Sequence, residues 1–153
     1  MDALSITRVG PEKLDDIQPL WERLNLHHSK ISQHFSDRFK CYTFSDRKAE
    51  LLTKSHATGL AVFIARQDAQ TAGYVIATLT LEKEGEIDSL FVAEEFRGKR
   101  IGDSLMQAAL KWLDDTCAKS KTIAVVHGNE QAHSFYARYG FQPHITWLGQ
   151  PES

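Results

Sequence analysis

The chemistry on offer concentrates in residues 96–102, FRGKRIG, where Arg97, Lys99 and Arg100 share seven positions with Gly98 and Gly102. Cations interleaved with glycines suit an anion. Glycine lets the backbone approach a ligand without a Cβ, and successive amides from Gly98 to Asp103 can form a nest for phosphate oxygens. The spacing is not that of a nucleotide P-loop, which runs Gly, four residues, then Gly-Lys-Ser/Thr, and it is not GxGxxG. Phosphate binding outside those two cradles is the chemistry this cluster supports. A second group, His27, His28 and His34, lacks HExxH or another firm ligand spacing, and no cysteine or carboxylate completes a set. No metal is expected there.

Anion binding by amides needs a helix start, and the flanking pattern supplies one. Ile101, Leu105, Met106, Ala109, Trp112 and Leu113 fall on one helical face, which predicts a helix of about five turns with Trp112 in the core. Upstream, GEIDSLFV reads as a strand in which Glu86, Asp88, Leu90 and Val92 share one face by period two. The basic loop therefore joins a strand to a helix, where the first amides are unpaired and the helix dipole is positive.

The remaining elements alternate. LSITRV is an edge strand, and Pro11 opens a first helix, PEKLDDIQPLWERLNLHH, ending near His27. SDRKAELLTKS follows as a second helix capped by Ser45 or Asp46. GLAVFIARQ and TAGYVIATLTLE are strands around a short turn, with GEIDSLFV the third in succession. After the long helix come a strand, KTIAVVHG, a short helix, NEQAHSFYARYG, closed by Gly140, and a last strand, FQPHITWLG. The order is that of an α/β layer protein with a mixed sheet.

Bulk properties narrow the classes. At 153 residues, 42% apolar and 25% charged, the chain reads as one domain spanning 1–153 with a packed core. A net charge of −2 gives no global footprint for nucleic acid. Cys41 and Cys117 are single cysteines and the N-terminus has no basic start followed by an apolar run, which fits a reduced, cytoplasmic setting. No stretch has the roughly 18–20 apolar residues that would span a membrane.

The LFV strand, a short acidic loop and RGKRIG together resemble motif A of the GNAT superfamily of acyl-CoA N-acyltransferases, whose pattern Q/RxxGxG/A is filled by Arg97, Gly98, Lys99, Arg100, Ile101 and Gly102. Arg100 stands where the family has its first glycine. Downstream, residues 129–141, NEQAHSFYARYGF, are similar to motif B, with Asn129, Ala132, Phe135, Tyr136, Gly140 and Phe141 in register. The element order matches the family's fold, a mixed central sheet with two splayed strands flanked by helices.

The resemblance implies an N-acetyltransferase that uses acetyl-CoA as cosubstrate, needs no metal, and acetylates a primary amine by direct attack in a ternary complex. Homodimers are common in the family. The pantetheine arm would lie along the main chain of Leu90, Phe91 and Val92, and the pyrophosphate on the amides of Gly98, Arg100, Gly102 and Asp103. Arg97 and Lys99 would add charge. Asn129 would contact the cofactor arm, cap the following helix, or both. Asp88, in preference to Glu86, would act as the base, directly or through water, with the Val92 amide polarising the thioester and Tyr136 protonating the thiolate. His28, His34, Phe35, Asp37 and Tyr42 would border the acceptor. Arg100 fits this scheme if its φ stays negative, so that its amide serves and its side chain reaches a phosphate. A non-catalytic acyl-CoA-binding module is the alternative.

Overall fold

A computed structural model describes residues 3–56 and 58–151. Five strands, β1 (Leu4–Val9), β2 (Leu60–Gln67), β3 (Gln70–Leu79), β4 (Glu84–Val92) and β5 (Ser120–Ile123), form one sheet in chain order. The first four are antiparallel and β5 runs parallel to β4. Helices α1 (Gln18–Ile31), α2 (Ser36–Cys41) and α3 (Phe44–Lys54) precede β2, whereas α4 (Ile101–Asp115) joins β4 to β5 and α5 (Ala132–Ala137) follows.

The alternation of β2 and β3 supplies both faces of the sheet with apolar side chains. Val62, Ile64, Tyr74 and Ile76 pack with Leu14, Ile17, Leu20, Trp21, Phe44 and Leu51 of the N-terminal segments. On the other face Ala61, Ala65, Val75, Ala77 and Ile87 meet Ile101, Leu105, Met106, Ala109 and Leu113 of α4. Central strands buried on both sides read as continuous apolar runs, as these do. Trp112 is buried with them, as its helical spacing predicts.

Several boundaries differ from the sequence reading. The first helix is two pieces, a 3₁₀ turn at Pro11–Ile17 and then α1, because Pro19 has no amide to give the preceding turn and occupies the first turn of a new helix. That helix continues past His27 to Ile31. The cap of α3 is Thr43: its hydroxyl accepts from the Asp46 amide while the Asp46 carboxylate accepts from the Thr43 amide. The helix α4 ends at Asp115, short of five turns, where Cys117 takes a left-handed φ of 62° and Ala118 donates back to the Leu113 carbonyl. The predicted last strand is absent: residues 141–150 carry no ladder, Pro143 lacks a donor, and Ile145, Trp147 and Leu148 are exposed. Among the described residues no helix is long and apolar enough to cross a membrane.

Candidate functional site

The site originates in a break in β4. Ile87 pairs with Ala77 and Ser89 pairs with Ile76, so Asp88 is an extra residue, a β-bulge. A bulge bends its strand and increases the twist. The pairing of β4 with β5 extends from Glu84/Ser120 to Ile87/Ile123 and stops there. Beyond it the two chains diverge around a cleft of about 80 Å3, lined among others by Leu24, His28, Asp88, Asn129 and Tyr136. The predicted strand KTIAVVHG thus forms a ladder only at its start, since β4 bends away from the residues after Ile123.

The bulge also overturns the single-face reading of Glu86, Asp88, Leu90 and Val92. Glu86 and Asp88 both meet Lys54 of α3, whereas Leu90 and Val92 pack with the core under α4. One inserted residue exchanges the faces of everything beyond it. The main chain follows a separate alternation: the Ala93 amide donates to Ala72 of β3, so the amides and carbonyls of Val92 and Leu90 turn to the open edge and those of Phe91 turn to β3.

Neither carboxylate is free. Lys54 Nζ donates to Glu86 Oε1 and to Asp88 Oδ1, each at 2.6 Å, and Thr78 Oγ1 donates to Asp88 Oδ2 at 2.6 Å. Arg47 of α3 donates to the Asp88 carbonyl at 2.7 Å, satisfying the group that the bulge removes from the ladder. Burial, then Glu86, pushes the Asp88 carboxyl up, against the pull of Lys54 and Thr78. Burial opposes the Lys54 ammonium, yet its bonds to Asp88 and Glu86 hold it above the ordinary lysine value. Lys54, Arg47 and Thr78 are the residues sequence reasoning missed; a lysine at the end of an amphipathic helix gives no sign of a partner over thirty positions away.

Tyr136 lines the cleft from α5, and burial pushes its phenol up, so it is protonated at neutral pH. Among the described residues its hydroxyl has no hydrogen-bond partner. Asn129 lines the cleft too, and Gln131 precedes α5 in the cap position, which removes the alternative of Asn129 as cap. Of the acceptor-side set, His28 reaches the cleft, with its imidazole pushed down to about 4 by burial and by His27. Tyr42 instead donates to Glu50 and packs on Trp21, and His34 and Asp37 are exposed. Phe35 lies near Gly149. Tyr42 borders a second depression of about 380 Å3 between α1 and α2. Volume favours that depression, but the unpaired strand edge belongs to the cleft.

The basic loop lies beyond the open end of β4. Gly98 has φ 84° and Arg100 φ 60°, ψ 24°, at the N-cap of α4. The negative φ anticipated for Arg100 is not found: the residue takes the left-handed conformation that glycine favours. The first amide of this turn to find an acceptor is that of Ser104, which donates to the Arg100 carbonyl. Among the described residues the amides of Gly98 to Asp103 have no acceptor, which is the donor set an anion needs. Asp103 would repel an anion, but its carboxylate accepts from the Tyr139 hydroxyl and from Arg138, and these hold it below the usual carboxylate range. Arg97 turns back to the strand, donating from Nε to the Val92 carbonyl at 3.1 Å and covering the Phe91 ring. Lys99 lies over Phe96. No three His, Cys, Asp or Glu residues stand together as a metal site among the described residues.

Comparison with known proteins gives a consistent picture. Residues 25–141 match the family model described as Acetyltransferase (GNAT) family. The chain is 35% identical over 82 residues to an uncharacterized N-acetyltransferase of Archaeoglobus fulgidus, covering 50% of this chain and 56% of that protein. It is 29% identical over 94 residues to an N-alpha-acetyltransferase of Sulfurisphaera tokodaii, covering 54% and 56%. The chain thus spans little more than half the length of these curated relatives. Among solved structures, the PaiA N-acetyltransferase of Thermoplasma acidophilum in complex with coenzyme A superposes with a TM-score of 0.73, 17% identity and coverage of 94% and 92%. At that identity the likeness shows the fold.

Proposed function

Because the chain belongs to the acetyltransferase (GNAT) family, we propose that it transfers an acetyl group from acetyl-CoA to a primary amine by direct attack in a ternary complex. The observation that carries this reading is continuity: the open edge at Leu90 and Val92 leads to the unbonded amides of the α4 turn. An extended arm with an amide backbone can pair with the edge as an added strand, and its diphosphate end then meets the nest. The residues fit acetyl-CoA, which brings an activated thioester to the cleft.

The Val92 amide would polarise the thioester carbonyl in a water-poor cleft. Tyr136 supplies a proton to the departing sulfur, since its hydroxyl is protonated, unbonded and faces the same space. Gly98, Arg100, Gly102 and Asp103 hold the diphosphate through main-chain N–H groups. Lys99 adds charge nearby, and Arg97 acts through Val92 and Phe91. Asn129 borders the cofactor arm. The amine enters from the α1 side, beside Leu24 and His28.

Calorimetry with acetyl-CoA, followed by CoA release over a panel of amines and peptides, tests the reading. Binding with turnover on at least one amine is expected. Binding without turnover on any member would leave a non-catalytic acyl-CoA-binding module. Tyr136→Phe should lower kcat by about 100-fold while acetyl-CoA affinity stays within about two-fold, the scale of one positioned proton donor; an unchanged kcat removes Tyr136 from the reaction.

A further inference from the structure

Acetylation of an amine releases a proton from nitrogen, and the group that takes it must present a free lone pair in the cleft. Of the β4 carboxylates, Glu84 and Glu86 are not among the residues that line the cleft, and both oxygens of Asp88 already carry donors. Lys54 occupies Asp88 Oδ1 and Glu86 Oε1, and Thr78 occupies Asp88 Oδ2. The Asp88 side chain is 1% exposed. Displacing Lys54 from it would uncover two neighbouring anions, one of them buried, which is costly.

His28 stands differently. It projects from α1 into the wall of the cleft that also holds Asn129 and Tyr136. Its ring rests on Phe39, 5.6 Å between centroids, and beside His27. Among the described residues neither ring nitrogen has a hydrogen-bond partner. No buried, unsatisfied side-chain nitrogen or oxygen is found among them either, so the unpaired nitrogens face open space.

We propose that His28 is a catalytic residue, the group that accepts the proton of the acceptor amine. The inference rests on the acetyl-transfer reading above. The amine nitrogen bonds to the acetyl carbon, and the carbon–sulfur bond breaks with its electron pair left on sulfur. The nitrogen's proton passes to the His28 ring, and the Tyr136 proton passes to sulfur. Transfer from imidazolium to phenolate across the cleft restores both residues, leaving amide and CoA thiol. The titratable groups around His28 are His27 on its own helix and, sharing the cleft lining, Asp88 from β4, whose carboxylate turns to Lys54 and Thr78, and Tyr136 from α5; the uncharged Phe39 ring of α2 and Asn129 from the loop before α5 complete its surroundings. Its burial keeps the imidazole neutral, with about 4 as its titration point. A neutral ring is ready to accept a proton at pH 7, and the aminium it serves becomes strongly acidic once bonded to the acetyl carbon.

The experiment uses the whole chain, with the amine that the panel identifies. His28→Gln is expected to lower kcat by about 100-fold, to leave acetyl-CoA affinity within about two-fold, and to melt within a few degrees of the parent. The imidazole proton signal that disappears in His28→Gln should titrate near pH 4 in the parent. Asp88→Asn serves as the second arm. If His28→Gln retains the parent's kcat, or if Asp88→Asn alone abolishes turnover in a protein that is still folded and still binds acetyl-CoA, the assignment is overturned. A parent that turns over no amine overturns the acetyl-transfer reading and His28's role together, whereas a parent that turns over while His28→Gln is unimpaired overturns His28 alone.

Discussion

The two halves of β4 have the same neighbours in sequence terms and opposite fates in the sheet. From Gly85 to Ile87 the strand is laddered on both edges, by β3 and by β5. Asp88 bulges out of the ladder, and from Ser89 to Val92 the strand keeps β3 and loses β5. Main-chain groups without partners in a protein interior are costly, and the open half meets that cost with substitutes: Arg47 donates to the Asp88 carbonyl and Arg97 to the Val92 carbonyl. The outward groups of Leu90 face the cleft, and the Val92 amide lies beyond it toward the basic loop. A binding edge is thus made by withholding a strand partner, and side chains protect what a ligand does not use.

The largest way to break this arrangement is at Gly128, in the loop that follows the diverging end of β5. It has φ 106°, and a Cβ there would stand 2.6 Å from the Ile31 carbonyl oxygen at the end of α1. Gly128→Ala combines a strained φ with a clash against main chain, so urea unfolding should show a loss of about 3 kcal/mol. The closed half should be spared. Hydrogen exchange at the Glu84–Ile87 ladder should follow global stability alone, while amides of α1 near Ile31 open further; equal effects in both halves would mean that Gly128 does not separate them.

Next comes Lys54, which links the halves by bridging Glu86 on the closed side to Asp88 at the bulge. Lys54→Met leaves the buried Asp88 carboxylate with a neighbouring anion and without the cation bonded to it. Breaking a fully buried pair costs about 3–5 kcal/mol, and Lys54 is 34% exposed, so about 2 kcal/mol is expected at pH 7. The sign of the pH dependence follows from Asp88. Its carboxyl is raised in the folded state, so the native protein holds that proton more tightly than the unfolded chain. The resulting stability is full below the ordinary aspartate value and is lost as pH rises through the folded one. Lys54→Met should therefore narrow its deficit as pH falls from 7 toward 5, measured by unfolding at each pH. A constant deficit would place the loss in packing of the lysine stem.

What was legible in the sequence divides along the same line. The strand and helix periods of β2, β3 and α4 survive because each meets the packing its pattern anticipates, the two strands on both faces and α4 along its one apolar stripe. The strand-to-helix junction at residues 96–102 is a local feature, and its glycine and cations announce it. Asp88 is different. Glu86, Asp88, Leu90 and Val92 keep a clean two-residue period on paper, and nothing in those letters says that β3 skips one of them. The partner of both carboxylates, Lys54, is a matter of tertiary placement. The strand expected at the C-terminus failed for a related reason: β propensity in ITWL describes a segment that would suit a sheet, and no edge receives it.

Arg100 gives the smallest and most diagnostic effect, because it separates the shape of the phosphate turn from its charge. An arginine at φ 60° costs roughly 1–2 kcal/mol relative to glycine in the same place. Glycine in turn stabilises the unfolded chain by about 0.4–1 kcal/mol through its greater freedom. The first term is larger, so Arg100→Gly should raise stability by about 0.5–1 kcal/mol, read as a shifted urea midpoint at unchanged slope. Its effect on acetyl-CoA should run the other way. The amides keep their geometry, and the turn loses one cation near the diphosphate, so affinity should fall a few-fold at low salt and converge with the parent at high salt. A large gain in affinity would instead mean that the Arg100 side chain obstructs the cradle, and the open half of β4 would then lead to a site the chain itself keeps closed.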